Sequence, residues 1–447
     1  MSDAKHTSLL EERALRLVEA AMKAGADAAD AVAVTGTSLS VSVREGKVED
    51  TDRSEGEDFT LRAFIGKQVA SISTNSFDDI EEMAQRAVAM AKVTPEDPYA
   101  GLGEQDKLLK EIPSLDLLDE RAVSSKELKE LALKAEDAAL SVEGVSKSGG
   151  AGASWGRSGM VLATSHGFVG EYSRSRSGYS VTAIAGEGTC MEREYDFDSR
   201  TYWDELMLPE EVGKNAGERA VRSQNPRQIE TCKAPIIYEP RAARSILGHF
   251  AGAINGAGIA RGTSFLKEYM GKKVFAEGIK ISDDPFKPRG GATMPFDAEG
   301  IGADYLELIS DGVLNHWLLD SAAARELGLE TNGRARRAGS GTSPGSTNLT
   351  LHGGQVSFAN LLKDMGRGLL VTSLIGHGAN GITGDYSRGA SGFWIEDGEV
   401  AYPVSEITIA GNMKDMFLNI TPANDLDDRY AVATPSLLIE GLTIAGS

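Results

Sequence analysis

The side chains best suited to metal or acid–base chemistry in this chain are its six histidines, and their spacing does not favour a metal site. They are His6, His166, His249, His316, His352 and His377. A zinc site needs several imidazole, thiolate or carboxylate ligands around one ion, and no two of these histidines lie at a metal-ligand spacing along the chain. His352 and His377 could still meet in space, although the sequence favours a structural, hydrogen-bonded role for each.

The segment 241–264, RAARSILGHFAGAINGAGIARGTS, is informative because of what it lacks. It predicts a helix from Ala242 to about Ile254, followed by a Gly-rich turn. The helix holds His249 and no carboxylate, so it supplies neither a second imidazole nor a base that could activate water. We expect its small residues Gly248, Gly252 and Gly256 to let it pack closely against its neighbours.

A second segment, 375–396, has the sequence IGHGANGITGDYSRGASGFWIE. Together with the Gly-Thr-Ser that closes the first segment, it strongly resembles the TldD/PmbA family, the metallopeptidases also called modulators of DNA gyrase. One branch of that family carries HExxxH just before Gly-Thr-Ser and a cysteine before an I-E-x-G turn. The pattern in this chain resembles the other branch, PmbA/TldE, which lacks the metal.

The resemblance implies that this chain has neither catalytic residues nor metal ligands. Anchored on Gly-Thr-Ser, the two histidine positions of the motif fall on Leu247 and Gly252, and the glutamate position falls on Gly248. The cysteine position, counted back from the I-E-x-G turn, falls on Ala390. The polar residues among the glycines that could contact a peptide or a partner are His377, Asp385 and Arg388, of which the last two are expected to form a local ion pair.

The function implied by the resemblance is that of a non-catalytic subunit in a heteromeric metallopeptidase. A TldD-type partner with HExxxH would bind the zinc and catalyse peptide-bond hydrolysis, and this chain would need no cofactor. Together the two chains would proteolyse unfolded peptides. Activity is then expected only in the complex, with a homodimer when the chain is alone. Two alternatives remain open: an independent peptidase or hydrolase with an unrecognised site, and a regulatory binding protein of the gyrase-modulator type.

The segment 376–381, GHGANG, also satisfies the G-x-G-x-x-G pattern of dinucleotide-binding folds. Such a site needs a helix directly after the glycines, because the helix N-terminus binds the pyrophosphate. Further glycines follow here at positions 384, 389 and 392, and the segment leads into a predicted hairpin. The nucleotide interpretation is therefore disfavoured.

Composition limits the classes of partner. The chain has 447 residues, enough for two domains, and a net charge of −20. Because nonspecific nucleic-acid binding depends on cations that meet phosphates, we expect no nucleic-acid partner. No run of about 18 apolar residues predicts a membrane span, and the N-terminus reads as an amphipathic helix, so we expect a cytoplasmic protein. Cys190 and Cys232 are too few for a disulfide framework.

The patterns predict an α+β fold. The N-terminal domain, residues 1–225 with sub-segments 1–94 and 114–225, should be an antiparallel sheet with helices on one face. Its strands alternate in polarity, with a turn predicted at Gly149-Gly150, and a helix after Ser76 should bury Ile80, Ala84, Ala87, Val88 and Ala91. The strand segment 171–179, EYSRSRSGY, is either a solvated face or a groove wall that contacts peptide carboxylates or another subunit.

The C-terminal domain, residues 233–447, should be mostly antiparallel β-structure with few helices. Hairpin turns are predicted at Glu277-Gly278, Asp311-Gly312 and Asp397-Gly398, each between apolar runs. The basic, then Gly/Ser-rich segment 334–346, RARRAGSGTSPGS, is predicted to be a surface loop, with a lid or partner-docking loop as the alternative.

Overall fold

The computed structural model describes residues 3–338 and 341–446. In the N-terminal half, the described residues form six strands and four α-helices in an α+β arrangement. They are α1 (Asp3–Lys23), β1 (Ala28–Arg44), β2 (Lys47–Ile65), β3 (Gln68–Thr74), α2 (Ile80–Ala91), α3 (Ser125–Leu140), β4 (Val145–Thr164), β5 (Val169–Ala185), β6 (Glu192–Arg200) and α4 (Pro209–Arg222).

The six strands form one antiparallel sheet in the order β3-β2-β1-β4-β5-β6. The four helices cover one face of it, because alternate β1 residues from Ala29 to Val43 pack into the two cores that contain the helices. The predicted stripe of α2 is buried in full. The expected architecture, an antiparallel sheet with helices on one face, is confirmed.

The strands are longer than the sequence patterns suggest, reaching 20 residues in β4. The turn predicted at Gly149-Gly150 is wrong: β4 runs through both glycines, and the pairing with β5 shifts register there. Gly150 has a left-handed φ of 103°, and a Cβ on Gly149 would lie 2.6 Å from Thr182. These glycines therefore accommodate a β-bulge inside a strand.

Helices α3 and α4 pack unusually closely beneath the sheet. A Cβ on Gly213 of α4 would lie 2.2 Å from the carbonyl oxygen of Ala135, and one on Gly217 would lie 2.7 Å from Val142. Glycines four residues apart lie on the same face of a helix, so their missing side chains let the two backbones approach. Pro209 occupies the first turn of α4, as the sequence predicts.

The C-terminal half contains two further sheets and several short helices. Its elements are β7 (Cys232–Tyr238), α5 (Pro240–Ala253), α6 (Gly256–Ala260), β8 (Ile281–Asp284), β9 (Leu306–Ser310), β10 (Val313–Leu314), α7 (Ser321–Leu327), β11 (Ala335–Ala338), β12 (Gly341–Pro344), β13 (Asn348–Leu351), α8 (Phe358–Met365), β14 (Gly368–Ile375), β15 (Asp385–Glu396), β16 (Glu399–Asn412), α9 (Met413–Leu418), β17 (Ile420–Pro422), β18 (Val432–Ala433) and β19 (Leu437–Ala445).

The larger C-terminal sheet has the order β16-β15-β14-β7-β19-β17, and a five-stranded sheet has the order β10-β9-β8-β13-β18. Pairing is antiparallel except for β14–β7 and β13–β18, which confirms a mostly antiparallel domain. Asp311-Gly312 and Asp397-Gly398 form the predicted turns with left-handed φ at both residues. The hairpin predicted at Glu277-Gly278 is wrong, because this turn lies in an irregular segment before β8. No helix in the described ranges is both long and apolar enough to cross a membrane.

The surface loop predicted at 334–346 is also wrong over the described part of this segment. It forms the hairpin β11–β12, and Arg334 at its start has no exposed surface. The Arg334 Nε donates to an Asp283 carboxylate oxygen at 2.5 Å, while its terminal nitrogens donate to the carbonyl oxygens of Asn332 and Asp304 at 2.9 and 2.6 Å. The basic residues of this segment are therefore structural donors inside the domain.

A buried polar cluster joins the two halves of the chain. Asp30 of the N-terminal sheet is ion-paired with Arg62 on β2 and with Arg337 of the β11–β12 hairpin, and it is 1% exposed. Nearby, both carboxylate oxygens of Asp297 accept backbone N–H bonds, and Glu299 accepts from the Ser321 amide and hydroxyl. Burial, then the neighbouring Glu299 carboxyl, raise the pKa of Asp297 to about 8.

Asp297 is expected to contribute stability that is lost as the pH rises from about 4 to about 8. In that range folded Asp297 keeps a proton that the unfolded chain has lost, so the unfolding free energy decreases by up to about 1.4 kcal/mol per pH unit. Glu299→Gln retains an acceptor for Ser321 but removes the repelling carboxyl, so the fall should be smaller. Urea unfolding of both proteins at pH 5 and pH 8 measures this difference, and equal falls would contradict the assignment.

Candidate functional site

The four positions that correspond to ligands and base in the resembling motif lie around helix α5, and they divide into two environments. Leu247 is 1% exposed and Ala390 is 3% exposed, both inside the main C-terminal core. Gly248 and Gly252 are exposed, and ideal Cβ atoms on them would meet no described atom within 4 Å. The helix therefore presents a bare glycine face to the surface and a hydrocarbon face to the core.

The neighbouring strand β15 brings a row of polar side chains to this helix. Tyr386, Arg388 and Ala390 alternate along β15 and so lie on one face of it. The Tyr386 ring packs edge-on to His249 of α5, with 6.2 Å between ring centroids. Tyr238, at the end of β7, lies beside Tyr386 and is fully buried. Tyr238, His249, Tyr386 and Arg388 are called here the α5–β15 cluster.

Several polar atoms of the α5–β15 cluster are buried and make no hydrogen bond of normal geometry among the described residues: the Tyr238 and Tyr386 hydroxyls, His249 Nε2 and Arg388 Nε. The two hydroxyls are nevertheless close enough to affect each other's pKa. Burial raises the pKa of Tyr238 well above its ordinary value, and it also raises that of Tyr386. Burial, then the neighbouring Arg388 guanidinium and the His377 imidazole, lower the pKa of His249. The histidine is therefore neutral at physiological pH.

Of the three predicted contact residues, two approach this cluster. Arg388 belongs to it, and His377 is exposed on the 376–384 loop but close enough to influence the titration of His249. The loop folds back on β15, since the Ser387 amide donates to the Gly378 carbonyl at 2.6 Å. A Cβ on Gly378 would lie 2.2 Å from Arg388 Cγ. The GHGANG glycines therefore allow close packing on a strand, and the segment continues as β15 where a dinucleotide site would need a helix.

Asp385 lies apart from the other two predicted residues. The Thr383 hydroxyl donates to its carboxylate at 2.6 Å, and the Asn412 amide donates to it at 3.1 Å. The expected ion pair with Arg388 is wrong, as no such pair occurs within residues 3–338 and 341–446. Asp385 begins β15 and Arg388 lies three residues further on, so their side chains project from opposite faces of the strand. Asp385 stabilises the turn.

The chemistry of the α5–β15 cluster does not suit a metal ion. At the four motif positions, leucine, glycine and alanine have no donor atom, and His249 has the permanently charged Arg388 as its neighbour. A guanidinium repels a divalent cation and offers it no lone pair. Within the described part of the chain, no group of three or more His, Cys, Asp or Glu side chains is placed to hold an ion.

The close packing expected of the helix glycines is wrong for Gly248 and Gly252 of α5, which are open. It holds for Gly256, which lies beyond the end of α5 as the first residue of α6. A Cβ on Gly256 would lie 2.5 Å from Leu319 Cδ2 and 2.7 Å from the Leu318 carbonyl oxygen. Gly248→Ala should therefore raise the unfolding free energy by about 0.5–1 kcal/mol through helix propensity. Gly256→Ala should lower it by about 1–3 kcal/mol through overpacking. Urea unfolding of the two variants measures these changes. Similar changes in the unfolding free energy of Gly248→Ala and Gly256→Ala would contradict the difference in packing between the two positions.

Sequence reasoning overlooked Tyr238 and noted His249 only as the single histidine of its helix. Tyr238 ends a strand of apolar residues and carries no pattern of its own, so only the pairing of β7 with β14 places it beside β15. A signal for Tyr386 and Arg388 was present, because they alternate with small residues on a strand next to a Gly-rich loop. That alternation puts both side chains on the face that also holds Ala390.

Comparisons with known proteins cover nearly the whole chain. Three domain families match: PmbA/TldA metallopeptidase domain 1 over residues 29–91, the central domain over 118–224 and the C-terminal domain over 231–446. The chain is 37% identical to "Metalloprotease PmbA" of Escherichia coli over 98% of its length and 96% of that protein. It is 36% identical to a "Metalloprotease PmbA homolog" of Haemophilus influenzae, over 96% and 94% of the two chains.

Solved structures agree in fold. A candidate modulator of DNA gyrase from Bacteroides thetaiotaomicron has a TM-score of 0.90 at 24% identity and covers 98% of this chain and 99% of its own. TldE from Thermococcus kodakarensis has a TM-score of 0.84 at 22% identity, over 97% and 100% of the two chains. From the matched domains and the near full-length identity, the chain belongs to the PmbA/TldD metallopeptidase family and is of the PmbA/TldE type.

Proposed function

We propose that this chain is the non-catalytic subunit of a heteromeric metallopeptidase and needs a TldD-type partner for proteolysis. The observation that carries the proposal is the composition of the α5 region. The family's ligand and base positions hold Leu247, Gly248, Gly252 and Ala390, and an arginine lies on the β15 face that includes the cysteine position. Hydrolysis of a peptide bond by zinc requires ligands and a base, and this region supplies neither.

The surface beside these positions supports a role in binding a partner or a peptide. Gly248 and Gly252 leave the outer side of α5 uncovered. Ile375, at the end of β14, is 71% exposed, and Ile382 on the 376–384 loop is 62% exposed. Large aliphatic side chains exposed together beside a bare helix face are typical of contact surfaces. In the complex, this surface faces the partner chain or the unfolded peptide, and the same surface mediates a homodimer when the partner is absent.

The two alternative functions have less support in the site. An independent hydrolase needs a nucleophile or metal beside its base, and His249 lies among Tyr386, Arg388 and His377 with neither. A net charge of −20 argues against direct contact with DNA by a regulator of a DNA-bound enzyme. The subunit role is consistent with the fold that this chain shares with its relatives, and it requires no catalytic residue in this chain.

The proposal is tested on the isolated chain. We expect the purified protein to contain less than one zinc per ten chains by elemental analysis and to leave an unstructured peptide intact. His249→Ala serves as the control, since it removes the imidazole of the cluster and should leave the metal content unchanged. One zinc per chain that is lost in His249→Ala, together with chelator-sensitive cleavage, would contradict the proposal.

A further inference from the structure

A cavity of about 880 Å³ lies between the N-terminal sheet and the C-terminal half, away from the α5–β15 cluster. Its size is within the range of ligand-binding pockets. Its floor is the sheet face opposite the helices, where three adjacent strands carry mainly glycine and serine: Gly36, Ser38, Ser54, Gly56, Gly156 and Ser158. The missing side chains create the space. Loops around Arg289 and Arg429 of the C-terminal half form the opposite wall.

The floor offers a ligand mainly side chains. β1 and β4 are internal to the sheet, so their amide and carbonyl groups are paired with those of neighbouring strands. β2 pairs with β3 only over Phe59–Ile65, so at Ser54 and Gly56 it pairs with β1 alone, and an extended ligand could add as a strand only along that outer edge. Serine hydroxyls and the charged groups at the rim remain available.

Most charged groups around the cavity neutralise one another. Arg289 is paired with Asp116 and Glu205, Lys287 with Asp428, and Arg429 with Asp427. Arg200 is paired with Asp198. These pairs either connect the two halves of the chain or stabilise single loops. Because each of these charges already has an opposite charge beside it, none of them requires a charged ligand.

Two arginines on β5 differ from these pairs. Arg174 and Arg176 lie opposite Ser158 and Gly156 of the floor, so both face the cavity. Neither is paired with a carboxylate within the described ranges. Arg174 makes two hydrogen bonds, both from Nη2 to the carbonyl oxygens of Gly291 and Thr293 at 3.4 Å, and Arg176 Nε donates to the Ser199 hydroxyl at 2.8 Å. Most of their N–H donors are therefore free to bind a ligand.

Burial without an anionic partner is unfavourable for a guanidinium. Arg174 is partly buried, and this burial lowers its pKa. The cavity carboxylate without an ion pair is Asp58, among the described lining residues. It lies on β2, three strands from β5, which is about 14 Å across the sheet at roughly 4.8 Å per strand. The β5 wall is thus the end of the cavity that attracts an anion.

We propose that this cavity binds the carboxylate group of a short peptide, with Arg174 and Arg176 as the residues that recognise it. Arginine donates two parallel N–H bonds to a carboxylate, and side chains two positions apart on a strand stand about 6.6–6.8 Å from each other, so both can approach one end of a ligand. The carboxylate comes from the C-terminus of the peptide or from an acidic side chain. That the ligand is a peptide rests on the proposed function.

The test is calorimetric titration of the isolated, full-length chain with three N-acetylated tetrapeptides: tetraalanine as the free acid, tetraalanine amide, and the amide with glutamate at the second position. We expect at least one carboxylate peptide to bind, and the plain amide to bind at least tenfold more weakly. A preference for the free acid identifies the terminus, and a preference for the glutamate peptide identifies the side chain. Equal binding of all three, or binding of none, overturns the proposal.

Variants assign the recognition to the two arginines. Arg174→Ala and Arg176→Ala should each weaken binding of the preferred peptide by about 10- to 100-fold, while Arg174→Lys should recover part of the loss. The matched control is Arg86→Ala, an exposed arginine on α2 outside the cavity. Arg176 is exposed, so its variant tests the site even where Arg174→Ala unfolds. Unchanged affinity in Arg176→Ala and in a folded Arg174 variant overturns the proposal, and no partner chain is needed, so this outcome is independent of the subunit role.

Discussion

Replacing Arg334 with methionine is expected to lower the free energy of unfolding by about 3–5 kcal/mol, because the change leaves the Asp283 carboxylate charged, buried and without its cation. Arg334 and Asp283 both have no exposed side-chain surface. Asp283 also accepts from the Thr347 amide at 2.6 Å and from its hydroxyl at 2.9 Å. The ion pair therefore ties β8 to the start of the β11–β12 hairpin and to the segment before β13.

Urea unfolding of three variants measures this effect. Arg334→Lys keeps the charge but loses the donors to the Asn332 and Asp304 carbonyl groups, so we expect it to recover only part of the stability. Arg86→Met changes an exposed arginine to the same residue type and should stay within about 0.5 kcal/mol of the parent. A loss below about 1 kcal/mol in Arg334→Met would show that the pair is not a structural anchor.

Adding a TldD-type chain with an intact HExxxH motif is expected to change an inactive preparation into a peptidase. Neither the α5 helix nor β15 of this chain provides a metal ligand at the motif positions, so cleavage must appear only when the partner supplies it. An unstructured fluorogenic peptide is incubated with this chain, with the partner and with an equimolar mixture, and complex formation is followed by light scattering. Failure of the two chains to associate, or full activity of this chain alone, would argue against the subunit role.

Much of the fold was predictable because local patterns determine it. The buried stripe of α2 follows from helical spacing, and the Asp311-Gly312 and Asp397-Gly398 turns follow from the left-handed conformations that these residues tolerate. The turn predicted at Gly149-Gly150 failed for a physical reason. Glycine pairs are common in turns, but here the neighbouring strands β1 and β5 hold both sides of β4 in the sheet, and tertiary pairing outweighs the local preference.

The structural role of segment 334–346 could not be predicted from its sequence. Its basic and Gly/Ser-rich composition is typical of a surface loop. The carboxylate that pairs with the buried Arg334 belongs to Asp283, 51 residues earlier in the chain. Arg337 likewise meets Asp30, which is 307 residues away. Charge alone does not distinguish a solvated arginine from a buried one, since the difference depends on partners that only the fold brings together.

The candidate sites show the same limit. The motif positions Leu247, Gly248, Gly252 and Ala390 could be named from the sequence. The sequence did not show that Leu247 and Ala390 lie in the core, whereas Gly248 and Gly252 lie at the surface. Of the two interpretations of segment 171–179, the groove wall agrees with the position of Arg174 and Arg176 on the lining of a cavity, while contact with peptide carboxylates or another subunit stays a prediction. The glycine and serine floor, in contrast, is built from β1, β2 and β4, and no local pattern predicts that these small residues meet.

The most direct test of the subunit role removes the candidate catalytic side chains from one chain of the complex at a time. In the first complex, the HExxxH glutamate of the partner is replaced by glutamine. In a second complex, His249 and His377 of this chain are replaced by alanine. We expect the partner variant to lower the cleavage rate by about 10²–10⁴-fold, as loss of a general base does, and the variant of this chain to retain at least about a tenth of the activity. A complex that keeps cutting without the partner's glutamate, and stops when His249 and His377 are lost, would contradict the account.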